Sequence, residues 1–475
     1  MDKGVQILLS ENSAMGATYN SLERQQLDAA KCHPNTRVAV ITRLIDWLIG
    51  EIDFDALILW LYGAAGAGKS VIAHTLAEIC EKGGRLLATF FFWKTAGKRN
   101  NISRFVATIA YQVARAIPAS RSHIEAAVNA DPMVFHQSID DQLAKLIIGP
   151  FRRLHSTGFD FKDSPFIIII DGLDECQGTD VQSRLVRSLV AAFHQCSLPI
   201  RILIASRPEV YLQSTFNSSS VQPHLARLAL SDEYSPEKDI YRFLKDSFKK
   251  IRCEHPLASY IPSRWPSTDV LHELTRKSSG QFIFASTTVK YTGGDPFELP
   301  TRRLEVIRRL QPPRGEEDLP YAELNSLYNH VLSNVRDVER VKQVLGVLII
   351  VDPVLHSYSM RRVRSTYKVD SLLFSQPGET KACLSQLASV ITCDAIGGIS
   401  ISHASLSDFL LDPSRSHQFY LSRESVLGDG AALGLCHMRQ EGLDRTGMQF
   451  TPLESFSSSA DPQHVLFQIL HTTAF

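Results

Sequence analysis

Apolar positions along this chain fall into two regimes: from about residue 57 to 230 short runs apolar on both faces alternate with helically spaced stretches, and from Ser235 onward the spacing is helical almost throughout. Leu57 to Tyr62 is the first short run, followed by Ile72, Leu76, Ile79 and Cys80 at helical spacing until Gly83-Gly84. Leu86 to Trp93 reads as a second buried strand, and Ile102, Phe105, Val106, Ile109, Val113 and Ile117 as a helix stopped by Pro118. Ser138 and Asp141 form a capping box ahead of Leu143, Leu146, Ile147 and Phe151. Phe166-Ile167-Ile168-Ile169-Ile170 shows no alternation at all, as expected of a central strand covered on both faces. A helix through Leu185, Leu189 and Phe193 follows, then strands at Ile200 to Ala205 and His224 to Leu230. The fold class is therefore α/β, with a five-stranded parallel sheet flanked by helices.

Ser235-Pro236 opens a helix carrying Ile240, Phe243, Leu244 and Phe248, and further helices are expected around Val270 to Lys277, Gln281 to Tyr291 and from Pro300 to Pro312-Pro313. Helices around Tyr321 to Val335 and Val338 to Ile350 precede one hairpin, Ser389 to Cys393 and Ile399 to His403, and this order predicts a winged-helix-like domain. Upstream of the first strand, Val38, Ile41, Leu44, Ile45, Leu48 and Ile49 mark an amphipathic helix, whereas Met1 to Ala30 has few periodic apolar positions. The expected organisation is a flexible leader at 1–30, an α/β domain at 31–231, a helical domain at 232–315, a winged-helix-like domain at 316–420 and a short tail at 421–475.

Between the first strand and its helix, Gly63-Ala64-Ala65-Gly66-Ala67-Gly68-Lys69-Ser70 fills the pattern G-x-x-x-x-G-K-[ST], which makes the α/β domain a P-loop NTPase domain. Consecutive main-chain N–H groups wrap a phosphate chain only where no Cβ intrudes, hence the glycines. Lys69 supplies charge to the outer phosphates, and the helix start presents its positive dipole end. Ser70 would place a hydroxyl on Mg2+, and Asp171, ending the central strand beside the P-loop, would hold the same ion through water. Asp174 and Glu175 are the candidates to orient an attacking water; the plainer reading is an acidic turn capping the next helix. Arg207, after the fourth strand, could sense the terminal phosphate or stabilise transition-state charge, against the reading of a surface arginine opening a loop. The guanine-reading Asn-Lys-x-Asp pattern is missing, since Tyr367-Lys368-Val369-Asp370 lacks the Asn and lies beyond the sheet, so ATP and ADP are the expected nucleotides.

Composition narrows the partners. A chain of 475 residues suits about three domains, and 50 basic against 50 acidic residues leaves no global field for nucleic acid or an anionic membrane. Arg361-Arg362-Val363-Arg364 with Lys368 is a local basic stretch, better read as a solvated face than as a phosphate contact, so nucleic acid is not an expected partner. Eight cysteines without a C-x-x-C pair suit a reducing compartment. The N-terminal apolar patch is too short for a signal peptide, and Val344 to Val351 is too short to span a bilayer, so the expectation is a soluble, cytoplasmic protein with no membrane partner.

Taken in order, Cys32-His33-Pro34-Asn35-Thr36-Arg37, the P-loop, Phe166 to Glu175, Ser206-Arg207-Pro208-Glu209, Ser279 to Ala285 and His403 to Leu410 resemble the NACHT family of STAND-class signal-transduction NTPases in its fungal form, from about Cys32 to Tyr420. The resemblance implies that Thr36 and Arg37 lie near the adenine and that His403 contacts the diphosphate in a closed state. It implies an ATP/ADP-dependent switch using Mg2+, reset by slow hydrolysis and acting through nucleotide-controlled oligomerisation, with itself or other signalling proteins as partners. A nucleotide-binding scaffold that never turns over is the alternative.

Overall fold

Five parallel strands make the central sheet: β1 (Ile58–Tyr62), β2 (Leu86–Phe91), β3 (Phe166–Asp171), β4 (Ile200–Ser206) and β5 (Leu225–Ala229), in the spatial order β2-β3-β4-β1-β5. The computed structural model describes residues 3–22, 31–94, 98–159, 166–194, 199–230, 234, 236–313, 321–357, 363–394 and 396–430. The chain divides into two units, Met1–Phe243 and Leu244–Phe475, with the boundary inside the helix Pro236–Glu254.

The absence of alternation in β3 follows from its place. Ile168 and Ile170 pack into one layer with Trp60, Phe90, Phe105 and Leu189, while Ile167 and Ile169 pack into the other with Leu59, Leu61, Leu44 and Leu76. At the sheet edge β5 does alternate, with Ala226 and Leu228 buried and Arg227 exposed. β4 pairs with β1 on one side (Ile58 opposite Ile202, Tyr62 opposite Ser206) and with β3 on the other (Asp171 opposite Ala205). β3 is thus a central strand as expected, with β4 between it and the P-loop strand β1.

β2 forms the opposite edge. The Gln112 side-chain amide closes on it, Oε1 accepting from Thr89 N–H at 3.0 Å and Nε2 donating to Thr89 C=O at 2.8 Å. Ser138 caps the helix Ile139–Leu143, its Oγ accepting from the Asp141 N–H at 3.2 Å while its hydroxyl donates to Asp141 Oδ2 at 2.6 Å.

Residues 3–22 are not a loose leader. Lys3–Glu11 is helical, Val5 and Leu9 are buried in the same core as the Phe105–Ala116 helix, and Ala14 N–H donates to Thr108 Oγ1 at 2.8 Å. Tyr19 N–H reaches Thr89 Oγ1 at 3.0 Å. The apolar stripe responsible, Val5, Leu8 and Leu9, spans little more than one turn, too short to register as a period. Residues 23–30 of the expected leader lie outside the described residues, as do 314–320, where the helical and winged-helix-like domains were expected to meet, and 431–475 of the expected tail.

In the second unit, helices Thr268–Lys277, Phe282–Gly293, Pro300–Arg309, Ala322–Ser333 and Val338–Gly346 occur where the apolar spacing places them. β6 (Ile391–Cys393) and β7 (Ile399–Ile401) form the antiparallel hairpin, its turn held by Asp394 Oδ1, which accepts from Ile396 and Gly398 N–H at 3.0 and 2.6 Å. Val344 to Val351 is buried, and no helix among the described residues is long and apolar enough to cross a membrane. Arg364, from the basic stretch, pairs through Nε with the fully buried Asp352 at 2.8 Å, while Asp352 also accepts from Val363 N–H. Arg361 and Arg362 lie outside the described residues.

Two stability outcomes follow. Leu9→Ala should cost about 2–5 kcal/mol in urea unfolding, against less than about 0.5 kcal/mol were the segment detached. Asp352→Ala should cost about 3–5 kcal/mol, because it leaves the Arg364 guanidinium without its buried counter-charge.

Candidate functional site

The chain leaves β1 for the far edge at β2, works back through β3 to β4 beside β1, and then passes to β5 on β1's other side. Connections from β1 and β4 thus run in opposite directions, which opens a crevice at their carboxyl ends. Three loops meet there: Gly63–Ser70 after β1, Gly172–Glu175 after β3 and Arg207–Glu209 after β4.

The glycines of the first loop have separate reasons. Gly66 and Gly68 take φ of 78° and 93°, a region that favours glycine, whereas a Cβ on Gly63 would meet Leu230 Cβ at 3.1 Å. Gly68 is also the N-cap of the helix Lys69–Lys82 and brings no side-chain acceptor, which suits the first-turn N–H groups to an anion. Lys69 arches over its own loop, Nζ donating to Gly63 C=O at 2.7 Å and Ala64 C=O at 2.9 Å. Burial lowers the pKa of this ammonium, with Asp174 the strongest influence in the other direction. Ser70 is exposed.

Asp171 is buried at the end of β3, and its carbonyl accepts from Phe92 N–H at 2.8 Å. Gly172, at φ 70°, turns the chain into a short 3-10 helix, Leu173–Glu175, and ties it to β4 through Ala205 C=O at 2.9 Å. The next two acids then separate in role. Asp174 binds Arg207 with both oxygens, Oδ1 to the main-chain N–H at 3.0 Å and Oδ2 to Nε at 3.2 Å. Glu175 Oε2 accepts from Lys94 N–H at 3.0 Å, and burial, reinforced by Asp174, pushes its carboxyl up to about 7. A carboxyl near neutrality is poised to take a proton from water.

Thr36 and Arg37 are both buried. Thr36 Oγ1 donates to His33 C=O at 2.7 Å; Arg37, at φ 57°, donates from Nη2 to the P-loop carbonyl of Ala67 at 2.7 Å and from its main-chain N–H to Asp239 Oδ2 at 2.9 Å. Burial draws the Arg37 guanidinium below its ordinary pKa, with Asp239 opposing. Asp239, Lys94 and the Trp60 Nε1 to Ser206 Oγ bond at 2.8 Å were not anticipated; only Asp239, in the first turn of Pro236–Glu254, carries a sequence signal.

The first unit thus brings together Thr36, Arg37, Gly63–Ser70, Asp171, Asp174, Glu175 and Arg207. His403 belongs to the second unit, as N-cap of the helix Ala404–Leu410. Its Nδ1 accepts from Ser405 N–H at 3.0 Å, which assigns the ring proton of the neutral imidazole to Nε2. Asp370, from the stretch that lacks the guanine-reading Asn, braces a loop instead, accepting from Gly378 and Thr380 N–H at 2.7 Å each.

For Mg2+, the Ser70 hydroxyl and Asp171 carboxylate are hard oxygen donors of the kind that ion takes beside phosphate oxygens. Among the described residues no three His, Cys, Asp or Glu side chains are grouped to hold a metal by themselves.

Residues 43–207 match the family model described as Nephrocystin 3, N-terminal. Among solved structures, the Walker-type ATPase PABY2304 of Pyrococcus abyssi is 13% identical, covering 80% of this chain and 97% of its own at a TM-score of 0.37. Cdc6p from Pyrobaculum aerophilum is 13% identical over 81% and 96%, TM-score 0.35, and the Aeropyrum pernix ORC1 protein, solved in complex with DNA, 13% over 80% and 92%, TM-score 0.35. No curated protein matches the sequence. The α/β class expected from the sequence, a five-stranded parallel sheet flanked by helices and followed by a helix-rich region, is the one observed.

Because folding raises the Glu175 carboxyl from 4.5 to about 7, the folded chain holds a proton there that the unfolded chain has released. Stability from this group is therefore present below pH 4.5 and lost as pH rises towards 7. Glu175→Gln should remove that loss, gaining about 2 kcal/mol over wild type between pH 5 and pH 8 in denaturant titrations at the two pH values.

Proposed function

We propose that this protein is an ATP/ADP-dependent signal-transduction switch with slow ATPase activity. The observation that carries the reading is the meeting, at one crevice, of a phosphate loop, two cations and three carboxylates with distinct surroundings. Main-chain N–H groups of Gly63 to Ser70, including those of Ala64, Ala65 and Ala67, wrap the phosphates, and Lys69 and Arg207 face the terminal one. The Ser70 hydroxyl and, through water, the Asp171 carboxylate would hold Mg2+, which would neutralise phosphate charge. Glu175 is the base: its carboxyl is held by one main-chain N–H and lies near neutrality, whereas both Asp174 oxygens are taken by Arg207. Thr36 and Arg37 border the base side of the nucleotide, Arg37 being bonded to the loop itself.

The resemblance to fungal NACHT proteins of the STAND class extends the reading to a following helical domain, a winged-helix-like domain and nucleotide-controlled self-association in the cytoplasm. The resemblance implies a diphosphate contact for His403, and its Nε2–H is the donor such a contact would use.

Lys69→Ala should abolish ATP binding, measured by calorimetry with Mg2+. Glu175→Gln should retain binding and lower kcat about 10²- to 10⁴-fold. No turnover by the wild type, with no ATP-dependent change of mass in solution, would favour the scaffold.

A further inference from the structure

Asp174 and Arg207 are braced from both of the segments that carry them. The 3-10 turn holding Asp174 is closed by Glu175 N–H to Gly172 C=O at 2.8 Å and by Gln182 Nε2 to Cys176 C=O at 2.5 Å. Gln182 Oε1 in turn accepts from Tyr211 OH at 2.8 Å, at the start of the helix that follows Arg207-Pro208-Glu209. Between these anchors the ion pair is only partly open to water, the Asp174 side chain 8% exposed and that of Arg207 26%. A pair so shielded is screened far less by salt than a surface one.

Asp174 also acts on the second cation. Of the carboxylates around Lys69 it favours the charged ammonium most strongly, ahead of Asp171 and Glu175. One counter-ion thus serves both cations that face the terminal phosphate in the proposed function. In that reading a triphosphate would bring further negative charge to the place where Asp174 already neutralises Arg207, and a diphosphate would end short of it.

We infer that Asp174 sets the preference between di- and triphosphate: its carboxylate competes with the γ-phosphate for Arg207, so ATP must displace it while ADP leaves the Asp174–Arg207 pair intact. The inference rests on the nucleotide reading above. It gives Asp174 a selecting role, distinct from orienting water and from holding Arg207 ready for the phosphate.

The full chain with Mg2+ is titrated with ADP and with a non-hydrolysable ATP analogue, as wild type, Asp174→Asn and Arg207→Ala. Asn keeps an acceptor for the Arg207 main-chain N–H and loses the charge. Asp174→Asn should tighten the analogue about tenfold and change ADP by less than about threefold. Equal changes for both nucleotides, or weaker binding of the analogue, would overturn the inference. Should Asp174→Asn not fold, Arg207→Ala tests the same competition: it must weaken the analogue and spare ADP, and loss or retention of both alike counts against the idea. A wild type that binds neither nucleotide sinks the nucleotide reading as well, whereas one that binds both with the wrong variant pattern sinks this inference alone.

Discussion

Burial of β3 on both faces determines where Asp171 emerges, and the geometry of the candidate site depends on that. A strand with isoleucines pointing into both layers must sit inside a covered parallel sheet, and parallel strands deliver their carboxyl ends to the same edge. Asp171 therefore ends β3 level with Ala205 of β4, one strand from the P-loop, whatever the loops do. The insertion of β4 between β1 and β3 also lets Arg207 stand between the phosphate loop and the acid turn, where Asp174 grips it.

Charge at this edge is nearly, not fully, balanced. Lys69 and Arg207 face Asp171, Asp174 and Glu175, and the fold settles the excess by burying Glu175 until its carboxyl titrates near neutrality, while Asp174 spends its charge on Arg207. Two adjacent acids of the same turn thereby acquire different chemistry from one residue's difference in position. Asp174 points to the β4 exit and Glu175 to the β2 exit at Lys94.

Much of this was legible in the sequence where the signal is local. The P-loop spacing, the unalternating isoleucines, the helix cap at Ser138 and the five strands all declare themselves within a few residues of one another. What escaped was long-range: the place of Asp239 in a helix's first turn marks it as an acid at a helix start but not as the partner of the Arg37 main chain, and nothing in Lys94 marks its N–H as the partner of Glu175. The amino-terminal helix escaped for a different reason, since Val5, Leu8 and Leu9 make a stripe too brief for periodicity although long enough to fill a core. Arg364 shows the opposite error, a residue grouped by sequence with a solvated basic face that in the fold neutralises a buried aspartate.

The closure of β2 by Gln112 bears on how copies of this protein can meet. A primary amide that both accepts from and donates to the Thr89 main chain occupies the positions a neighbouring strand would use, and the Tyr19 main chain reaches the same threonine's hydroxyl. An edge satisfied in this way is a poor template for extending the sheet from one molecule into the next. Association between copies through that side would have to proceed by side-chain surfaces, which can be regulated, and not by backbone addition, which propagates.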